Sequence, residues 1–161
     1  MICIKNANVI TPNGILKDGV ILLEGQQIHS VGTAVQIAVP ADAQVVDAQG
    51  LYVGPGFVDI HQHGGGGADY MDDDPDTYYN ATWAHLRHGT TSVMPTSLSA
   101  DKDAMLRAVR SYISAKNDKR IKCNLLGLHM EGPYISPKQA GAQKPENIRA
   151  FDDNEYKEVI R

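Results

Sequence analysis

From Gly54 onward, short apolar runs alternate with stretches of helical spacing, and that alternation restricts the fold more than any other feature of the chain. Phe57-Val-Asp-Ile60 reads as a buried strand that continues through His61-Gln-His63. Asp76 to His88 has helical spacing, with Tyr79, Trp83 and Leu86 on one side and Gly89 as the stop. Thr91-Ser-Val-Met94 reads as a second strand ended by Pro95. Ser99 can cap a second helix, whose apolar side is Ala104, Leu106, Val109, Tyr112 and Ile113. Cys123 to Leu128 is a third strand running into His129-Met-Glu131-Gly-Pro133. A long loop rich in Gly, Pro and Gln follows, and Asp153 opens a last helix. Strand and helix in this order make parallel βαβ units. Three such strands fit the opening of a (β/α)8 barrel, which takes about 250 residues when complete. They also fit a short open α/β fold.

The residues before Gly54 read differently. Short strands over Met1–Val9, Gly19–Leu23, Gln27–Val31, Val45–Asp47 and Leu51–Val53 are separated by turn clusters, which marks a small all-β unit. The expected organisation is therefore a β unit over 1–53 and an α/β unit over 54–161. The net charge of -4 comes with no Lys/Arg cluster, which argues against nucleic acid or an anionic membrane surface as partner. No apolar run approaches the roughly 20 residues that span a bilayer. The N-terminus lacks the pattern of a secretory signal, and the two cysteines, Cys3 and Cys123, form no CxxC motif. The expected location is the cytoplasm.

His61 and His63 carry the strongest chemical signal. Side chains alternate across a strand, so residues at i and i+2 point the same way. The C-terminal end of a barrel strand is where active sites are built. Two imidazoles there suit Zn2+ or a similar ion. Two polar residues bonded to backbone at a strand end are the plain alternative. Glu131 follows the third strand, where a carboxylate can ligate one metal or bridge two. Gly132-Pro133 behind it implies a tight, fixed backbone. His129 is expected to support a ligand or to pack. The Gly64–Gly67 run allows close backbone approach, either to a ligand or simply as a flexible loop. His85 and His88 are expected on a helix, away from the chemistry. Gly141-Ala-Gln143 is a plausible substrate-facing stretch, since long βα loops shape barrel pockets.

The run PGFVDIHQHG (55–64) resembles the first barrel strand of the amidohydrolase superfamily. HGGGGADYMD (63–72), HGTTSVMPTS (88–97) and GLHMEGPYISPKQAGAQ (127–143) narrow the resemblance to its N-acetylglucosamine-6-phosphate deacetylases, over the whole chain in order. The resemblance implies an α/β fold: the first three βα units of a TIM (β/α)8 barrel, preceded by part of a small β-sandwich. It implies that Glu131, His61 and His63 bind divalent metal, one ion or two, with zinc expected and iron as the alternative. It implies that Ala142 and Gln143 touch the sugar. The implied reaction is metal-assisted amide hydrolysis of N-acetylglucosamine 6-phosphate to glucosamine 6-phosphate and acetate, in a homo-oligomeric enzyme. Two further metal-binding histidines and a catalytic Asp belong to later strands of such enzymes. No catalytic residue is therefore assigned here, and these 161 residues alone are expected to be inactive. The rivals are another amidohydrolase of dihydroorotase type, and a non-catalytic α/β binding fragment.

Overall fold

A computed structural model describes residues 1–160. The chain divides into two compact units, Met1–Pro55 and Gly56–Arg161. In the first, β1 (Ile2–Thr11), β2 (Gly14–Glu24), β3 (Gln27–Thr33), β4 (Gln44–Asp47) and β5 (Tyr52–Val53) form one sheet. β1 pairs antiparallel with β2 and parallel with β4 and β5, so the sheet is mixed. The strands run longer than the apolar stretches alone predict, because the turn at Pro12-Asn13 holds β1 and β2 in register out to Thr11 and Gly14. Alternation sends Ile21 of β2 to one side and Val20 and Leu22 to the other, and because the β1–β2 register shifts between Ile4 and Ala7, Ala7 and Val9 pack with Ile21 while Cys3 packs with Val20 and Leu22.

The second unit is an α/β arrangement. β6 (Phe57–Gln62) lies beside β9 (Thr90–Ser97), and β9 is flanked on its other side by two short strands, β10 (Asn124–Leu125) and β11 (His129–Met130). All of these pairings are parallel. Helix α1 (Thr77–Leu86) follows β6, and α2 (Lys102–Lys116) follows β9. A hairpin of β7 (Gly64–Gly65) and β8 (Ala68–Asp69) intervenes before α1, and α3 (Asp153–Val159) comes last. The core gathers Tyr70, Tyr78, Ala81, Val93, Cys123 and Leu125. Burial pushes the Tyr70 and Tyr78 phenols well above the usual range.

Four local expectations change. Pro95 does not end the second strand, because the β6–β9 register breaks between Asp59 and Gln62 and the missing N–H falls at that irregularity. Ser99 does not cap α2. Asp101 does, its carboxylate accepting from the Ala104 N–H at 2.8 Å. On α1 the buried side is Thr77, Tyr78, Ala81 and Thr82, while Trp83 is half exposed. On α2, Met105, Ala108 and Ala115 are buried and Ile113 is exposed.

The four glycines are a paired turn rather than a loose loop. A Cβ on Gly64 (φ +150°) would sit 2.0 Å from the Ala68 carbonyl oxygen, whereas one on Gly67 (φ +86°) would meet nothing within 4 Å. Backbone cannot step aside as a side chain can. Gly64→Ala is thus expected to lose about 3–5 kcal/mol, combining strain and overpacking, and Gly67→Ala about 1–2 kcal/mol from strain alone. Urea unfolding of both variants checks this, and equal losses at the two positions contradict it.

Candidate metal centre

The end of β6 delivers the two histidines as the pleat requires. His61 and His63 face one way, and Gln62 between them is turned inward and buried. Glu131 stands just past β11, on the far side of β9. The two imidazoles converge on a single carboxylate oxygen. His63 Nε2 lies 3.0 Å and His61 Nε2 3.3 Å from Glu131 Oε2. One potential ligand atom from each residue falls within 4.8 Å of the others. The side chains are partly open, at 52% for His61, 32% for His63 and 30% for Glu131, so a small molecule can reach them.

The other ring nitrogen of His63 decides what this cluster can do. Nδ1 lies 3.1 Å from the Thr96 carbonyl oxygen. A carbonyl only accepts, so Nδ1 carries the hydrogen, and in the neutral ring Nε2 is then a bare lone pair. That lone pair points at a carboxylate oxygen, which is also an acceptor. Two acceptors 3.0 Å apart need a proton or a cation between them. Two imidazole nitrogens and one carboxylate are also the donor set of catalytic zinc sites that keep a fourth position for water. The residues fit a divalent metal.

The backbone around Glu131 is held closely. Its N–H donates to Ser97 O at 3.2 Å, and its carbonyl accepts from Ser99 Oγ at 3.3 Å. Ser99 N–H in turn donates to Gln143 Oε1 at 2.7 Å. Of the two expected sugar contacts, Ala142 is exposed in a turn, while Gln143 is buried with its amide carbonyl bonded to protein backbone. His129 lies against His61, ring centroids 5.0 Å apart. His85 is on α1, within 2.9 Å of Gly64 O, and so packs on the glycine turn. The 134–150 loop is tied to α3 by Arg149 and Tyr134, which both donate to Glu155. The Arg149 guanidinium holds the Glu155 carboxyl below its ordinary range. A cleft of about 540 Å³ lies along this tie, near Asp101, Glu146 and Glu158, and the triad does not line it. The donor geometry, rather than cavity size, marks the candidate site.

Sequence reasoning missed Thr96 and Ser99. Strand β9 was expected to stop at Pro95, which left both residues without a place near the site.

The sequence pattern of the amidohydrolase family matches residues 52–161. The chain belongs to the amidohydrolase family. Among curated relatives of this amidohydrolase, the N-acetylglucosamine-6-phosphate deacetylase of Bacillus subtilis is 33% identical over 96% of the chain and 39% of its own length. Among solved structures, the N-acetylglucosamine-6-phosphate deacetylase of Pasteurella multocida superposes with a TM-score of 0.84 at 28% identity, covering 98% of the chain and 41% of that protein. A variant of the Mycobacterium smegmatis deacetylase, solved in complex with N-acetyl-D-glucosamine-6-phosphate, superposes with a TM-score of 0.79 at 28% identity over 99% of the chain and 40% of its own. The chain thus spans about two fifths of the length of these relatives.

Proposed function

We propose that these residues belong to a metal-dependent deacetylase that converts N-acetylglucosamine 6-phosphate to glucosamine 6-phosphate and acetate. The second unit supplies three βα units of a (β/α)8 barrel, and the first supplies part of a small β-sandwich. The observation that carries the reading is the fixed His63 tautomer, with its bare Nε2 turned on Glu131. The match to deacetylases in sequence and in shape supports the choice of substrate.

His61, His63 and Glu131 are the residues that hold the ion, zinc by preference and iron as the alternative. When bound, such an ion lowers the pKa of water toward about 7 and polarises an amide carbonyl. The protein's own part is to orient the donors and leave one side open. Thr96 O fixes the His63 ring, and the Ser97 and Ser99 bonds fix the Glu131 backbone. Ala142, in its exposed turn, and the amide of Gln143 lie on the loop that follows Glu131, where the sugar is expected. The 161 residues by themselves do not turn over.

The test is acetate release from N-acetylglucosamine 6-phosphate by the intact protein that contains this chain, with and without a chelator. Activity that a chelator removes and zinc restores is expected. Chelator-resistant activity would remove the metal from the reading. Release from N-acetylgalactosamine 6-phosphate alone would keep the chemistry and change the sugar. Turnover by the 161-residue chain would overturn the statement that it is inactive alone.

A further inference from the structure

β9 supplies none of the three candidate ligands, yet one of its residues touches the support of both histidines. Thr96 is fully buried. Its carbonyl takes the His63 Nδ1 hydrogen at 3.1 Å. Its hydroxyl is 3.3 Å from His129 Nδ1, accepts from the Gln62 N–H at 3.1 Å, and lies 3.3 Å from Met94 O. His129 packs against His61, with the two ring planes 65° apart. We propose that Thr96 is the positioning residue of the metal centre, its carbonyl setting the His63 ring and its hydroxyl holding His129 against His61. This rests on the metal role given above to His61, His63 and Glu131.

The hydroxyl is the separable half. Valine keeps the branched shape at this buried position but offers nothing to His129 Nδ1 or to the Gln62 N–H. The His129 ring is then free to turn, and His61 loses the surface that fixes it. Serine keeps the hydroxyl and loses only a methyl. A purely structural Thr96 would lower stability in the valine variant and leave metal affinity alone.

Zinc titration by calorimetry on the intact wild type, Thr96→Ser and Thr96→Val separates these cases. Thr96→Val is expected to bind about tenfold to a hundredfold more weakly, the range for residues that orient ligands, while Thr96→Ser keeps wild-type affinity. Wild type that binds no zinc removes the metal reading and this proposal with it. Wild type that binds, alongside Thr96→Val with equal affinity, overturns the role of Thr96 and leaves the metal reading standing. Should Thr96→Val not fold, the ring-nitrogen NMR spectrum of metal-free wild type decides. His63 and His129 are each expected in one fixed tautomer, and averaging between tautomers at either ring overturns the proposal.

Discussion

Glu131→Gln is expected to leave a folded protein that binds divalent metal more than about a hundredfold less tightly, a loss beyond that of residues that merely support a ligand. The carboxylate is the only anionic member of the triad, and both imidazoles bear on one of its oxygens. Glutamine keeps the shape and removes the charge. Without metal the effect on stability runs the other way. With the His63 ring neutral and no metal bound, its Nε2 lone pair in the wild type faces a carboxylate oxygen that has no hydrogen to give. The glutamine amide does, and a donated bond there contributes about 0.5–1.5 kcal/mol. At a pH that keeps the His63 ring neutral, the metal-free variant should therefore melt at or above the wild-type temperature, while added zinc stabilises the wild type far more than the variant. Thermal melts in chelator and in zinc, paired with calorimetry, check both signs. Equal zinc stabilisation of the two proteins would remove Glu131 from the site.

That His61, His63 and Glu131 come together was legible because strands obey a period. His61 and His63 at i and i+2 on a strand must share a face, and the apolar run before them announces the strand. Glu131 was legible from its place after the third strand. What connects them was not. Pro95 is a stop signal on every local rule, but here the break in the β6–β9 register absorbs its missing donor, and β9 runs on through Thr96 and Ser97. Those two positions are where β11 pairs and where His63 is anchored. A non-local register shift of this kind leaves no mark in the sequence of either strand.

The helix faces show the same limit. Tyr79, Trp83 and Leu86 are bulky residues at helical spacing along α1, so periodicity selects them. Packing selects what fits. The glycine turn comes close to α1, since a Cβ on Gly66 would lie 3.0 Å from Ala84 Cβ and 3.3 Å from Asn80 O. Tyr78 is the aromatic that reaches the core, 4.9 Å from the Tyr70 ring. Gln143 reads as polar by its place in a loop, and its side-chain carbonyl accepts from the Ser99 backbone N–H, a contact that its place in the loop does not announce. Burial of that kind depends on how the loop folds back, which composition does not encode.

Gly132→Ala is the substitution expected to damage fold and site together. Gly132 has φ +93°, a region that a residue with a Cβ occupies only under strain. The added Cβ would also lie 1.9 Å from Ser99 Oγ, 3.1 Å from Ser99 Cβ and 3.2 Å from Ile135 Cδ1. Turning the Ser99 hydroxyl away would relieve only the first contact and would break its bond to the Glu131 carbonyl. Strain and overpacking together should cost about 3–5 kcal/mol. Because the displaced peptide adjoins Glu131, zinc affinity should fall as well. A double-mutant cycle with Ser99→Ala isolates the clash. Ser99→Ala removes the nearest atom, so the double variant should lose less than the sum of the two singles by at least about 1 kcal/mol, while the backbone strain persists. Urea unfolding of the four proteins measures the coupling. Strictly additive losses would mean that Ser99 yields freely and that the damage comes from backbone strain alone.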